Sequence, residues 1–214
     1  MKRISVLLVG LCIFVACNKD EDSLKIIWQD DFETYNALSF PNSWIADGNG
    51  TDLANNYTDS LITYNGEQSL KLYGVLGGCW TAIAYHTLTV TPPFEIEIGV
   101  RNGEESLSGC DQFRGWVGLN QGTSCSYSTQ RCLILFDSNG KVLGGGGKEL
   151  RSYDKNTWYL VRVRYEIKSA SEIKFSYWID NDYLGSESLR AMNEEYLLSY
   201  LEIQGGEGSA WFDD

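Results

Sequence analysis

Two carboxylate side chains in one short segment, Glu95 and Glu97, are residues whose type and spacing could perform chemistry. One residue separates them, so on a β-strand both would project from the same face. Paired carboxyl groups about 5–10 Å apart carry out glycoside hydrolysis, one as acid and one as base or nucleophile. Segment 94–101 alternates apolar and polar residues, however, which is also the pattern of a strand with one face in water. We favour this second interpretation, in which both carboxylates are simply solvated.

Nucleophilic catalysis and zinc binding find less support. The sequence has no Gly-x-Ser-x-Gly segment, and its single histidine, His86, has no evident Ser or Cys partner. We interpret His86 as an ordinary strand residue. Four cysteines, Cys79, Cys110, Cys125 and Cys132, lack the close pairs or His partners of a zinc site.

Aromatic side chains beside polar ones indicate a different chemistry, the stacking of a flat ligand. Trp116 alternates away from the apolar residues of its segment and would share a strand face with Arg114 and Asn120. Trp178 alternates in the same way, and Arg162 lies on a polar strand face. Outward rings among hydrogen-bonding groups suit a sugar, whose ring stacks while its hydroxyls are bound. The alternative is that a loop or helix covers this face and makes the tryptophans a minor core.

Five further tryptophans complete the set of seven. Trp80 begins a segment of strand character beside Cys79, and we add it to the predicted ligand-binding residues. The others are interpreted as packing residues: Trp28, Trp44, Trp158 and Trp211.

The N-terminus has the pattern of an export signal. Lys2 and Arg3 precede an apolar stretch that ends at residue 16 and is too short to cross about 30 Å of hydrocarbon. Ala16-Cys17 resembles the lipobox of bacterial lipoproteins, whose cysteine is acylated and becomes the mature N-terminus. The resemblance implies a signal peptide at 1–16 and lipidation of Cys17. The alternative is an ordinary secretory signal that happens to contain a cysteine.

Residues 17–25 continue as a charged tether that contains Asn18-Lys19-Asp20-Glu21-Asp22. It resembles the acidic export tag of cell-surface lipoproteins in some Gram-negative bacteria, although a plain flexible linker is the alternative. We expect an outer-membrane lipoprotein that faces the cell surface and contacts the membrane only through its lipid anchor. In that oxidising environment the four later cysteines predict disulfides. The short separation favours Cys125–Cys132, which leaves Cys79–Cys110, and the other pairings stay open.

Length and charge limit the remaining possibilities. The chain has 214 residues, which suits one large β-domain and a leader. Its 17 basic and 29 acidic residues give a net charge of -12 and a pI of about 4.5, so we expect no nucleic-acid partner. We expect a monomer.

From residue 26 onward the dominant sequence pattern has a period of two. The clearest cases are 94–101, 112–120, 158–166 and 174–179. Turn sequences rich in Gly, Asn and Asp separate them, so we predict an all-β domain over 26–214, a two-sheet antiparallel sandwich. It has room for at most one short helix, near Ser188 to Tyr196. The four glycines at 144–147 lack the Lys-Ser/Thr of a phosphate loop and predict a wide turn.

The segments Trp158–Tyr165 and Phe175–Asp180 together resemble the paired strands of concanavalin A-like and laminin-G-like jelly rolls. In that superfamily a Trp-x-x-Val-x-Val strand precedes a Tyr-x-Asp-Gly hairpin. Asn181 takes the place of the hairpin glycine, a change that an Asn in the left-handed region tolerates. The resemblance covers most of 26–214 and implies a jelly roll.

Both ends of the domain also resemble carbohydrate-binding modules, in Asp31-Phe32-Glu33, Gly66–Leu70 and Phe212–Asp214. In such modules the first and last motifs lie side by side and hold a structural Ca²⁺ ion. The resemblance implies Glu33 and Asp213 as side-chain ligands, with Asp31 and Glu67 where main-chain oxygens are often used. Oxygen ligands of this kind suit Ca²⁺. Solvated acids at strand ends are the alternative.

The jelly-roll glucanases of the same fold place their acids on one strand face as Glu-x-Asp-x-x-Glu. Glu95-Ile96-Glu97 is the nearest match, but Gly99 and Arg101 follow where the third acid is required. The sequence therefore predicts a surface-exposed, non-catalytic, lectin-like protein that binds a polysaccharide or other glycan. A laminin-G-type protein-interaction or adhesion module is the first alternative, and a glycoside hydrolase or polysaccharide lyase is the second.

Overall fold

A computed structural model describes residues 28–75, 81–88, 91–105, 113–123, 129–192 and 198–213. Several predictions concern residues outside these ranges and stay predictions: the signal peptide (1–16), Cys17, the tether (17–25), Trp80, and the Cys79–Cys110 disulfide.

The described chain consists of β-strands with one short 3-10 helix, Asn49–Thr51. The strands are β1 (Ile45–Gly48), β2 (Tyr57–Asp59), β3 (Ser69–Gly74), β4 (Ala82–Thr87), β5 (Phe94–Asn102), β6 (Phe113–Asn120), β7 (Gln130–Asp137), β8 (Lys141–Gly144), β9 (Glu149–Ser152), β10 (Trp158–Ser169), β11 (Glu172–Ile179), β12 (Asp182–Arg190), β13 (Tyr200–Gly205) and β14 (Gly208–Asp213). Within this part of the chain, no helix has the length and apolar character needed to cross a membrane.

Two antiparallel sheets of seven strands each form the sandwich. Sheet A has the order β1-β4-β13-β6-β7-β8-β9, and sheet B has the order β12-β11-β10-β5-β14-β3-β2. The predicted all-β, two-sheet antiparallel jelly roll is therefore confirmed. Strands that are far apart in the sequence are neighbours in both sheets, because the chain crosses repeatedly from one sheet to the other.

Alternation of side chains along each strand produces the core between the sheets. In β10, Tyr159, Val161, Val163 and Tyr165 point inward and are at most 5% exposed. The intervening residues of β10 occupy the opposite face and remain half-buried. One period-two pattern thus supplies both a core face and an outer face, as the sequence predicted.

The C-terminal strand β14 lies inside sheet B, between β5 and β3. Ala210 and Phe212 project into the core and are 0% exposed. Trp211 lies on the outer face between them. A strand in this position is hydrogen-bonded on both edges, so the last strand of the described chain completes the sheet.

The described part of the segment predicted as a possible short helix, Ser188 to Tyr196, is not helical. Ser188 to Arg190 belong to β12, where Lys174 pairs with Ser188 and Glu172 pairs with Arg190. Hydrogen bonding to β11 extends the strand although the local sequence loses its alternation, while residues 193–197 lie outside the description. The wide turn predicted at 144–147 is confirmed, and its Gly147 has a φ of 85°. Asn181 has a φ of 69°, the left-handed conformation expected for it.

Truncation of the β14 core residue Phe212 to alanine should lower the free energy of unfolding by about 3–5 kcal/mol, because it leaves a cavity between the sheets. Leu61→Ala is the control, since Leu61 is 91% exposed and its truncation should cost less than about 0.5 kcal/mol. Urea denaturation monitored by circular dichroism measures both. Equal effects of the two substitutions would contradict the placement of β14.

Candidate functional site

The predicted ligand-binding residues divide between the two outer faces of the sandwich. Trp116 and Asn120 lie on the outer face of sheet A, opposite the core residues of β6. Trp178 and Arg162 lie together on the outer face of sheet B, where the register pairs them directly. The structure therefore brings Trp178 and Arg162 together and places them on a different face from Trp116 and Asn120.

Arg114 belongs to neither outer face. The pairing of β6 with β7 is irregular between Phe113 and Gly115, and this bulge turns the Arg114 side chain into the protein. The residue is 2% exposed, and its Nη1 donates to the Gly103 carbonyl at 3.1 Å. Nη2 donates to the Glu105 carbonyl. The prediction of a solvent-facing Arg114 beside Trp116 is wrong, because a bulge shifts the alternation that it assumed.

A hydrogen-bonded cluster around Glu202 occupies the outer face of sheet A. Three side-chain amides donate to its carboxylate: Asn120 Nδ2 at 2.9 Å, Gln130 Nε2 at 2.8 Å and Gln204 Nε2 at 2.5 Å. They come from β6, β7 and β13, so the register of three adjacent strands assembles the cluster. Tyr85 of β4 lies opposite Glu202 in the sheet.

Burial changes the acidity of this carboxyl group. Glu202 is 0% exposed, and desolvation raises its pKa from 4.5 to about 7, against the effect of the three amide donors. The nearby charge of Asp47 raises the pKa further. The three donors are neutral amides, which do not hold the carboxyl ionised as a cation would. Near neutral pH it exists in both protonation states.

Trp116 packs against this cluster but is not open to solvent. The residue is only 7% exposed, so the prediction that its ring faces water is wrong. The ring extends over Gly118, where an added Cβ would lie 2.3 Å from the indole Cη2. Its side chain also hydrogen-bonds to Cys132. The alternative that the sequence left open, a covered second face with tryptophan in a minor core, describes Trp116 better.

Cys132 carries a free thiol, and its predicted disulfide partner Cys125 lies outside the described residues. Burial raises the pKa of the thiol to about 12. A thiol of such low acidity is a poor nucleophile at neutral pH.

The outer face of sheet B is built differently, from aromatic rings alternating with cations. One row crosses five strands in register, from β2 through β3, β14 and β5 to β10. Its members in order are Tyr57, Lys71, Trp211, Arg101 and Trp158. Lys71 Nζ lies 5.2 Å from the Tyr57 ring centroid and 5.7 Å from that of Trp211. On the other side, the Arg101 guanidinium lies 5.2 Å from the Trp211 ring.

A second row lies on the same face, roughly 13 Å farther along β5 and β10. It runs from Glu97 through Arg162 and Trp178 to Tyr183. The Arg162 guanidinium lies 4.8 Å from the Trp178 ring centroid, and the Trp178 and Tyr183 centroids are 5.2 Å apart. Tyr183 is 58% exposed, and Trp178 and Arg162 are half-buried. We call the two rows together the cation–aromatic surface.

Glu95 and Glu97 occupy the solvent side of β5, as the favoured interpretation predicted. Glu95 Oε1 forms an ion pair with Arg164 Nη1 at 3.5 Å. Glu97 lies opposite Arg162 in the sheet. His86 stacks on Trp28 with ring centroids 4.1 Å apart and packs beside Trp44. These contacts give His86 a packing role.

The residues expected to bind calcium hold a loop instead. Glu33 Oε1 accepts the backbone N–H groups of Glu67 and Gln68, at 2.6 and 2.9 Å. Asp213 Oδ2 accepts those of Tyr64 and Asn65, at 2.7 and 3.2 Å.

The predicted ends of the domain thus lie side by side, but the two carboxylates bind amides of loop 64–68. Asp31 caps the backbone N–H of Glu33, and the Glu67 side chain is exposed. Within the described ranges no group of three or more His, Cys, Asp or Glu could hold a metal ion. As they stand these residues form no such group, and calcium binding stays a prediction.

Sequence reasoning missed several residues of both faces. Glu202, Gln130 and Gln204 follow no motif, and only the three-strand register brings them together. Trp158 was assigned to packing, although alternation with Tyr159 already placed it outside the core. The packing role predicted for Trp211 is confirmed by its burial, but its position between two cations was missed.

Comparison with known proteins supports the fold and goes no further. No family model matches the chain, and no curated protein matches its sequence. A mutant alginate lyase, Aly36B, solved with alginate tetrasaccharide, is 12% identical at a TM-score of 0.52 and covers 86% of this chain and 92% of its own. The PL-14 alginate lyase from Aplysia kurodai is 10% identical at a TM-score of 0.51, with 84% and 97% covered.

The lumenal domain of VIP36, solved with Ca²⁺ and Man2, is 8% identical at a TM-score of 0.45, with 80% of both chains covered. At identities this low, the two alginate lyases show only a shared sandwich fold.

The raised pKa of Glu202 makes stability depend on pH. Between about pH 4.5 and 7 the folded state keeps this proton while the unfolded chain has lost it, so the free energy of unfolding falls as pH rises. Over this pH range Glu202 lowers the free energy of unfolding by on the order of 3 kcal/mol. Glu202→Gln should remove that component of the pH dependence, and Glu149→Gln on the exposed edge should not. Urea titrations from pH 4 to 8 test this, and identical slopes for Glu202→Gln and the unaltered protein would contradict it.

Proposed function

We propose that this protein binds glycans without cleaving them, through the cation–aromatic surface on the outer face of sheet B. The observation that carries the proposal is the contact of Arg162 with Trp178, beside the exposed ring of Tyr183. Aromatic rings present flat apolar faces, and the neighbouring guanidinium supplies hydrogen-bond donors. A sugar ring needs both.

Accessibility distinguishes the row of Arg162, Trp178 and Tyr183 from sheet A, although Trp211 in the other row is only 6% exposed. Tyr183 is more than half exposed and Trp178 and Arg162 are partly so, whereas Trp116, Asn120 and Glu202 are nearly or fully buried. A polymeric ligand can lie along an open sheet without any rearrangement. Exposed apolar surface marks an interaction site when it forms a contiguous patch, as the neighbouring rings of Trp178 and Tyr183 do.

The export pattern fits the same proposal. A lipid-anchored protein on the outer membrane, as the N-terminus predicts, would meet extracellular polysaccharides. The solved structures that share this fold include alginate lyases, one of them solved with alginate tetrasaccharide. Calcium forms no part of the proposal, because Glu33 and Asp213 already accept backbone amides.

Replacement of Trp178 by alanine tests this assignment. In the chain that begins at residue 18, which retains all fourteen strands, Trp178→Ala should weaken binding to an array-identified glycan by at least about tenfold, the scale of an interface hot spot. Trp28→Ala is the matched control, because Trp28 is 39% exposed but lies outside the cation–aromatic surface. Isothermal titration calorimetry measures both affinities. A protein that binds no glycan on the array would contradict the proposal and favour a protein-interaction module.

One observation favours a catalytic alternative, a glycoside hydrolase or polysaccharide lyase centred on Glu202. A carboxyl group with a pKa of about 7 can donate or accept a proton at neutral pH. Its position among amides and beside Tyr85 is one that a buried sugar could use.

Our proposal predicts no release of reducing ends and no unsaturated product from any bound polysaccharide. A reducing-sugar assay and absorbance near 235 nm would detect the two reactions, respectively. Turnover that disappears in Glu202→Gln, while binding persists, would replace the binding function with the catalytic one.

A further inference from the structure

The cation–aromatic surface contains three cations that form no ion pair with any described residue. They are Lys71, Arg101 and Arg162, and each instead lies over an aromatic ring, at 4.8 to 5.7 Å from the ring centroid. A ring orients a cation through its negative face but does not neutralise the charge. The three cations are thus held in place with their charge still available.

Carboxylates on the same face are already engaged with other groups. Asp59 accepts the Trp211 indole N–H at 2.8 Å, and Asp213 accepts two backbone amides of loop 64–68. Glu95 pairs with Arg164, and Glu166 pairs with Lys168 at 3.0 Å. These acids therefore have partners, whereas the three cations lack carboxylate partners.

Within the two rows of the cation–aromatic surface, Glu97 is the carboxylate that lies opposite Arg162 in the register. It forms no ion pair within the described chain. The Arg162 Nε is also buried without a hydrogen bond. A ligand carboxylate or sulfate at Arg162 would supply the charge that Glu97 does not.

We infer that the glycan bound by this surface is acidic, a polysaccharide carrying carboxylate or sulfate groups. The inference rests on the proposed glycan-binding function and names the class of its ligand. Aromatic rings at Trp178, Tyr183 and Trp158 stack the sugar units, and Lys71, Arg101 and Arg162 contact their anionic groups.

Because the protein has a large negative net charge, specific binding of an acidic glycan can be distinguished from non-specific electrostatic attraction. A chain with a formal charge of -12 repels polyanions on average, so a polyanion can bind only where local cations outweigh the general field. At physiological salt the general field is screened beyond about 8 Å, and contacts at the surface decide the outcome. Binding should therefore depend on particular cations rather than on total charge.

Matched ligand pairs test the inference. Polygalacturonate is compared with its fully methyl-esterified form, and dextran sulfate with dextran, against the chain that begins at residue 18. We expect at least about tenfold tighter binding of the charged member of at least one pair, and weaker binding as NaCl rises from 0.1 to about 0.5 M. Biolayer interferometry on immobilised polysaccharide measures the affinities.

Two substitutions test whether Arg162 and Lys71 cause the preference for charged polysaccharide. Arg162→Gln and Lys71→Gln should each reduce the preference for the charged polysaccharide, measured as the ratio of its affinity to that of its neutral partner, several-fold. The matched controls are Arg151→Gln and Lys141→Gln. Arg151 also lies over a ring, that of Tyr159, but is ion-paired with Asp180, and Lys141 is paired with Glu149.

Each result has a definite meaning. Equal binding of charged and neutral partners overturns the acidic ligand and leaves the proposed glycan-binding function in place. Failure to bind any polysaccharide, on the pairs and on the array, overturns both. A preference for charged polysaccharide that the controls reduce as much as Arg162→Gln does would overturn the assignment to this surface.

Discussion

Three consecutive residues of the last strand connect the parts of this structure on which the account depends. Phe212 fills the core between the sheets, Trp211 is the central ring of the cation–aromatic row, and Asp213 holds loop 64–68 through its backbone amides. Because β14 pairs on both edges inside sheet B, its register fixes all three at once. A shift by one residue would exchange the core face with the outer face.

The two outer faces show what the same alternation produces in different surroundings. On sheet A the non-core positions of β13 and β6 are buried, so their polar groups must hydrogen-bond to each other, and Glu202 collects three amides. On sheet B the outer residues of β10 and β11, Arg162 and Trp178, remain half-buried and Tyr183 is exposed, whereas Trp211 of β14 is buried between its two cations. The first arrangement changes the acidity of a carboxyl group, and the second leaves charge available at the surface.

Much of the fold follows from the sequence, because period-two alternation is a local property. It predicted the strands around Phe94, Trp158 and Phe175 and the outer position of Trp178. Arg114 shows where that reasoning ends, since one bulge in the pairing with β7 turned the residue inward. The Glu202 cluster could not be predicted, because strands β6, β7 and β13 become neighbours only in the folded sheet. The row through Tyr57 and Trp211 depends on long-range pairing in the same way.

Indole N–H signals give the most direct test of the central claim that sheet B carries the ligand. Each tryptophan contributes one such signal to a ¹H–¹⁵N correlation spectrum, and assignment by single Trp→Phe substitutions is straightforward. Titration with an acidic oligosaccharide should shift the signals of Trp178 and Trp158 and leave that of Trp116 unchanged. A shift of Trp116 with Trp178 and Trp158 unaffected would contradict the account and place the ligand on sheet A.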